Sequence, residues 1–350
     1  MNSNSVRRGL SILAGAGLAA TSACVSPIDE PGSRVPDRCA QEAPLVAPQK
    51  TDILFVIDNS GSMAEEQDGI ASELPAFIDE LKKGGGTGHD FQVGVITTSV
   101  YQHARIGGSS EITEYPAQAG RLQAVPEPAA DGGVAPGTER ILRSDDSALV
   151  EKFARLVKQG TSGSGQETPF EAVRLAVASD LATTPLEEGG NAGFLRDGAR
   201  LLVVVVSDED DCSEMDRPPS VYVGTNPARD YCGEQSASLT PVQTYAEIFQ
   251  GLKDTTGARR QVLWAAIAPV SRMTKQAQAV LEDGVMRNMD CPTSFQPGHR
   301  QREMAALFDG SLANLDSICN TSYRNTLIGI AQLANAAQSI EVRNVPDARP

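Results

Sequence analysis

The apolar positions of this chain fall into short unbroken runs separated by stretches with helical spacing. The runs are Asp52-Ile-Leu-Phe-Val-Ile57, Phe91-Gln-Val-Gly-Val-Ile-Thr-Thr98, Leu201-Leu-Val-Val-Val-Val206 and Gln261-Val-Leu-Trp-Ala-Ala-Ile-Ala268. With little or no polar alternation they read as strands covered on both faces, the pattern of a parallel sheet. Between them, Ile70, Leu74, Phe77, Ile78 and Leu81 share one helical face, with Pro75 expected to kink the helix and Gly84-Gly-Gly-Thr-Gly88 to end it. Leu149, Val150, Phe153, Leu156 and Val157 mark a second helix, for which Ser144 is the expected cap. Thr168-Pro-Phe-Glu171 opens a third, with the threonine, first-turn proline and glutamate of a capping box. Further helices are expected at about 241–252, 301–308 and 322–337.

Strand and helix in alternation imply an α/β fold, a doubly wound, mostly parallel, Rossmann-like sheet with helices on both faces. Two stretches break the alternation. Residues 104–138 are rich in Gly, Pro and Ala, with only Arg121-Leu-Gln-Ala-Val125 strand-like, and read as a loop insertion. Residues 212–238 read as a second one, and no internal repeat is present.

The chain ends frame this domain. Arg7 and Arg8 precede the apolar stretch from Leu10, which is of signal-peptide length and closes in Thr21-Ser-Ala-Cys24. Residues 1–23 therefore read as an export signal. Cys24 reads as the lipid-modified first residue of a bacterial lipoprotein, although Thr21 stands where such motifs usually carry leucine. Residues 24–49, rich in Pro, Ser and acids, form a flexible spacer; the folded domain is expected over 50–340 and a tail over 341–350.

Charge narrows the partners. The net charge is −15, from 30 basic and 45 acidic residues, and removal of the signal takes away Arg7 and Arg8 to leave −17. So negative a body disfavours nucleic acid and anionic lipid headgroups, and is compatible with a membrane tether through lipid on Cys24. Six cysteines in an exported chain suggest disulfides, and spacing favours Cys212 with Cys232 and Cys291 with Cys319, leaving Cys39 without an assigned partner.

Two strands end in chemistry. The first stops at Asp58, with Ser60 and Ser62 following and Gly61 between them; the run 201–206 stops at Ser207-Asp208. Carboxylate and hydroxyl oxygens at strand carboxyl ends face the crevice where open α/β sheets bind ligands, and they suit a magnesium-type ion. Asp58-Asn-Ser60-Gly-Ser62 resembles the Asp-x-Ser-x-Ser signature of von Willebrand factor type A domains, over about residues 50–337. The wider pattern, with Asn191-Ala-Gly-Phe-Leu-Arg196, Ser207-Asp208-Glu-Asp-Asp-Cys212 and Ser317-Ile-Cys319, resembles envelope lipoproteins of myxobacteria and related bacteria that carry this domain.

That resemblance implies a metal-ion-dependent adhesion site of Asp58, Ser60, Ser62, Thr168 and Asp208, holding magnesium, or calcium or manganese. It implies a non-enzymatic protein-binding module of an exported cell-envelope lipoprotein of the outer membrane, whose partner offers an acidic residue to the ion. The residues leave alternatives open. Thr168 also serves as a helix cap, with Thr161 or Glu167 as substitutes, and Glu209, Asp210 and Asp211 read as solvated or aimed at a second cation. A metal-free assembly module is a second reading. A magnesium-dependent phosphohydrolase is a third, disfavoured because Ser60 stands where such an enzyme needs an acid, and no phosphate-cradling or nucleophile-elbow motif occurs. His89, His103 and His299 share no spacing and read as ordinary surface or core residues.

Overall fold

The computed structural model describes residues 50–84, 89–129, 134–135 and 137–336. The expected signal, Cys24, the spacer, Cys39 and the tail lie outside the described residues.

Six strands make the central sheet: β1 (Lys50–Ile57), β2 (Asp90–Thr97), β3 (Leu142–Arg143), β4 (Arg200–Val206), β5 (Val262–Ala268) and β6 (Ala313–Ser317). Their spatial order is β6-β5-β4-β1-β2-β3, parallel throughout except for β3. The chain thus winds outward from β1 in one direction and from β4 in the other, so the crevice at the switch point opens beyond the ends of β1 and β4. The doubly wound sheet expected from the sequence is the one the chain forms.

Each strand buries both faces because helices cover both. Ile53, Phe55 and Ile57 point to one layer with Leu202 and Val204, where they meet Phe77 of α1 (Ala64–Lys83), Phe153 of α2 (Leu149–Leu156) and Leu327 of α6 (Arg324–Asn335). Phe55 sits at the centre of that layer, edge-on to Phe77 at 5.6 Å and to Phe153 at 5.1 Å. Leu54, Val56, Val203 and Trp264 point the other way. They meet Phe170 of α3 (Pro169–Ala178), Phe249 of α4 (Val242–Gln250) and Met304 of α5 (His299–Ala306). Among the described residues no helix is long and apolar enough to cross a membrane.

Helix α1 is the single helix expected, 20 residues long with Pro75 inside it. Other expectations are corrected. Ser144 is not the cap of α2, which begins at Leu149; the preceding turn is closed by Asp146, whose Oδ1 accepts from Ala148 N at 2.8 Å. Part of the 104–138 insertion is regular structure, an antiparallel hairpin of Tyr101–Ile106 and Ser109–Glu114 turning at Gly107 and Gly108, both at positive φ. Residues 121–125 form no strand, yet Leu122 and Val125 are buried and Gln123 N donates to Val95 O at 2.8 Å. A second hairpin, Ala279–Glu282 with Val285–Asn288, lies in the crossover from β5 to α5.

Both expected disulfides form, Cys212–Cys232 with Cα atoms 5.4 Å apart and Cys291–Cys319 with Cα atoms 5.1 Å apart. The second ties that crossover to the segment after β6 across a sequence separation of 28 residues. Replacing Cys291 and Cys319 together by alanine should lower the unfolding free energy by about 3–4 kcal/mol on the chain-entropy model. The denaturant midpoint under non-reducing conditions checks this.

Candidate functional site

Strand register builds the crevice. Ile57 stands opposite Thr97 on one side and Val206 on the other, so the next residues, Asp58, Thr98 and Ser207, emerge side by side at the carboxyl edge. Asp58 N donates to Val206 O at 2.9 Å and Thr98 N to Ile57 O at 3.2 Å, extending the ladder one step past the strands. The Asp58 carboxylate is fully buried and held from both sides. Ser207 Oγ donates to Oδ2 at 2.6 Å and Ser60 N to Oδ1 at 2.8 Å.

The turn at Gly61 then folds the two serines together. Ser60 Oγ and Ser62 Oγ are 3.1 Å apart, and Ser62 Oγ donates to Asp208 Oδ1 at 3.1 Å. Oxygens around magnesium at ~2.1 Å in octahedral geometry stand about 3 Å apart along each edge. The hydroxyl and carboxylate spacings match that edge.

Thr168 is tied instead to Thr98, the residue that emerges next to Asp58 at the carboxyl edge. Its backbone N and its Oγ1 both donate to Thr98 O, at 3.2 and 2.8 Å. The capping box expected at Thr168 and Glu171 does not form, since Thr168 makes no side-chain cap bond and Glu171 pairs with Arg174 at 2.7 Å. Helix α3 is instead capped from the β4 loop. Asp211 Oδ1 accepts from Phe170 N at 3.2 Å and Ser213 Oγ from Glu171 N at 3.0 Å. Thr161 is exposed, whereas Glu167 is buried and accepts from Thr98 Oγ1.

The acids after Asp208 divide. Asp210 and Asp211 are fully buried, which corrects the reading of both as solvated or cation-directed. Asp210 accepts from Arg300 N at 3.0 and 3.1 Å and from Gln301 N at 3.2 Å, at the start of α5. Arg300 Nε reaches Asp211 Oδ2 at 2.9 Å. A carboxylate at a helix N-terminus satisfies orphan N–H groups and meets the positive end of the dipole. The two residues therefore lock α3 and α5 to the β4 loop.

Electrostatically the crevice is acid without compensation. Burial pushes the carboxyls of Asp58, Glu167, Asp208 and Glu209 upward, and neighbouring carboxylates add to it for the last three. The shifts of Glu167 and Asp208 are large, and Glu209 is pushed up to about 8. Among the described residues none of these four acids makes an ion pair, and Asp208 Oδ2 and Glu167 Oε1 are buried without a hydrogen-bond partner. An unpartnered buried carboxylate oxygen is costly unless a cation or proton meets it. No group of three or more His, Cys, Asp or Glu with metal-holding geometry occurs among the described residues. The candidate set is of another kind, two carboxylates and three hydroxyls, hard oxygens that fit a hard divalent cation.

Other residues support the site without standing out in the sequence. Gln67 Nε2 donates to Asp58 O and Gly160 O, each at 2.8 Å, and its Oε1 accepts from Gly160 N at 3.1 Å, joining the Asp58 turn to the glycine-rich loop. Its signal was a lone amide on the apolar stripe of α1, three residues before Ile70 and seven before Leu74. Ser99 Oγ donates to Asn59 Oδ1 at 2.7 Å and accepts from Ser164 N at 2.8 Å, while Gly163 N donates to Asn59 O at 2.8 Å. A Cβ at Gly163 would overlap the Asn59 carboxamide. Gly163→Ala is therefore expected to cost about 1–3 kcal/mol of stability by overpacking. Thermal unfolding measures it, and an unchanged midpoint would mean that the loop gives way freely.

Fold and crevice together define a doubly wound α/β domain with an acid- and hydroxyl-lined carboxyl edge. No family model matches the chain, and no curated protein does. Among solved structures, the pilus adhesin SpaC of Lactobacillus rhamnosus GG in its open conformation is 13% identical, with 83% of this chain and 30% of that chain covered and a TM-score of 0.39. Proximal thread matrix protein 1 from the mussel byssus is 12% identical, covering 82% and 49%, with a TM-score of 0.37. Manganese-loaded TRAP protein of Plasmodium vivax is 11% identical, covering 82% and 74%, with a TM-score of 0.33. The chain spans less than half the length of the first two. Likeness at this level assigns neither residues nor activity.

Proposed function

We propose that this chain is a non-enzymatic protein-binding module of the von Willebrand factor type A kind, dependent on a divalent cation at its carboxyl edge. Asp58, Ser60, Ser62, Thr168 and Asp208 would hold magnesium, with calcium or manganese as substitutes. When bound, the ion supplies a Lewis-acid position for a carboxylate from a partner protein. The chain's own groups do the positioning. Ser207 and Ser60 N fix the Asp58 carboxylate, the Gly61 turn brings the two hydroxyls together, and Thr98 O holds the Thr168 hydroxyl in place.

The observation that carries this reading is Asp208. Its Oδ1 is engaged by Ser62 while its buried Oδ2 faces no partner, in a crevice whose four acids lack any compensating base. Catalysis finds no comparable support. Ser60, where a phosphohydrolase would need a proton donor, is a buried hydroxyl bonded to Ser62. The setting we propose is the cell envelope, with the domain tethered through lipid on Cys24. If Cys24→Ser stays in the membrane fraction, the tether is wrong.

Thr168 offers the sharpest test of the ligand set, because a capping role no longer accounts for it. Thr168→Ser should keep magnesium affinity within about threefold, and Thr168→Val should lower it by about tenfold or more, a loss near 1.4 kcal/mol in binding. Capture of envelope proteins by the immobilised full chain should be lost with EDTA and restored by magnesium. Capture indifferent to EDTA would leave the metal-free assembly module as the better reading.

A further inference from the structure

Residues 269–298, the crossover from β5 to α5, lie at the same carboxyl edge as the crevice. Phe295 N donates to Asp208 O at 3.0 Å, which seats a turn of this crossover against the acid. The Phe295 ring is nevertheless 40% exposed. The Arg287 guanidinium lies 5.7 Å from that ring's centroid and donates to Ser294 O at 2.8 Å. The turn is braced. Ser294 Oγ donates to Cys291 O at 2.7 Å and accepts from Asn288 N at 2.9 Å, and Cys291 is bonded to Cys319.

Two features make this wall a contact surface. Of the six exposed large hydrophobics among the described residues, four fall in this crossover: Met273, Leu281, Met289 and Phe295. Exposed apolar side chains on one crossover offer contact area to a protein partner. Arg287 is half-buried and makes no ion pair among the described residues, in a chain with 45 acids and 30 bases. One face of its guanidinium is covered by the ring, and one N–H is spent on a carbonyl. What remains is a planar donor edge, held still, that suits a carboxylate.

We infer that Arg287, braced by Phe295, binds a second carboxylate of the partner, so that the partner is an acidic segment carrying two neighbouring acids, one for the cation and one for Arg287. This rests on the function proposed above. Phe295 links the two, its N on Asp208 O and its ring beside the guanidinium, and an extended segment advancing ~3.3 Å per residue samples short spans of this kind with acids one to three residues apart. Charge complementarity chooses this occupant. The crevice takes an acid only through a cation, whereas Arg287 takes one directly.

Calorimetry on the full chain tests it in two stages. Magnesium alone is titrated first; absence of binding removes the proposed function and this inference with it. With magnesium saturating, four glycine-based peptides are compared, one with a single aspartate and three with a second aspartate one, two or three residues further on. At least one of the three should bind about fivefold tighter than the single-aspartate peptide, and Arg287→Gln, with its fold checked by circular dichroism, should erase the difference. Magnesium binding together with equal affinity for all four peptides, or no measurable affinity for any, overturns the inference while leaving the metal site standing. An advantage that survives in Arg287→Gln also overturns it.

Discussion

Arg196→Met is expected to destabilise the domain by about 3–5 kcal/mol, because it strands a buried carboxylate. Asp52 is fully buried at the amino end of β1. Arg196 N donates to its Oδ2 at 2.8 Å and Arg196 Nε to its Oδ1 at 2.7 Å, while Arg196 Nη1 reaches Asp90 Oδ1 at 2.6 Å. After substitution the nearest remaining cation is Arg260, 3.6 Å from Asp52 Oδ2 and already engaged by the Arg196 and Ala199 carbonyls. Burial holds the Asp52 carboxyl above its ordinary value even against the lowering by Arg196; the variant keeps the backbone N–H bond of residue 196 but removes the guanidinium's charge and its side-chain bond, so the carboxyl rises further. A carboxyl with a raised folded value contributes its stability below the unfolded value and loses it as pH rises through the folded one. The deficit of Arg196→Met should therefore be smaller near pH 4, at the ordinary carboxyl's own range, than at about pH 8. Denaturant midpoints at the two pH values measure it, and a deficit equal at both would show that packing, not charge, dominates.

Asp208→Asn should act in opposite directions on stability and on binding. Without metal, Asp208 is an acid buried beside Asp58 and Glu209, with its carboxyl pushed well up by burial first and by their charge second. Burial also raises Asp58, against the hydrogen bonds it accepts, and burial with neighbouring carboxylates raises Glu167 and Glu209, the last to about 8. The metal-free domain should thus lose stability as pH climbs through these values. A neutral amide at residue 208 relieves the repulsion, for a gain of about 1–2 kcal/mol near pH 8, the scale of a stabilising change at a strained functional site. Magnesium competes with protons for the same oxygens, so wild-type affinity should rise from about pH 6 to about pH 8, and Asp208→Asn should abolish it. Thermal midpoints of both proteins, with and without magnesium, read all of this. A lower midpoint for the metal-free variant would mean that the Ser62 bond to Asp208 is structural rather than a metal-ready arrangement.

How much of this was legible follows from where each signal is written. The four central strands are nearly continuous apolar runs, and the ends of two of them put Asp58 and Asp208 at one edge. Strand β6 is Ala-Asn-Leu-Asp-Ser, short and mostly half-buried at the sheet edge, so no apolar run announced it. The hairpin of Tyr101–Ile106 and Ser109–Glu114 is largely exposed and carries no core pattern. Asp210 and Asp211 look like a solvated run until the tertiary structure places two helix N-termini on them. Thr168 misled for the opposite reason. The local sequence favours a capping box, but Asp211 and Ser213 arrive from the β4 loop and take the donors, leaving the threonine hydroxyl on Thr98 O.

The most direct measurement is titration of magnesium into the full chain by calorimetry, side by side with Asp58→Ala of unchanged circular dichroism. The account predicts saturable binding at a single site in the wild type and none in the variant. No heat and no thermal shift with magnesium, calcium or manganese in the wild type, or equal binding by both proteins, would contradict it.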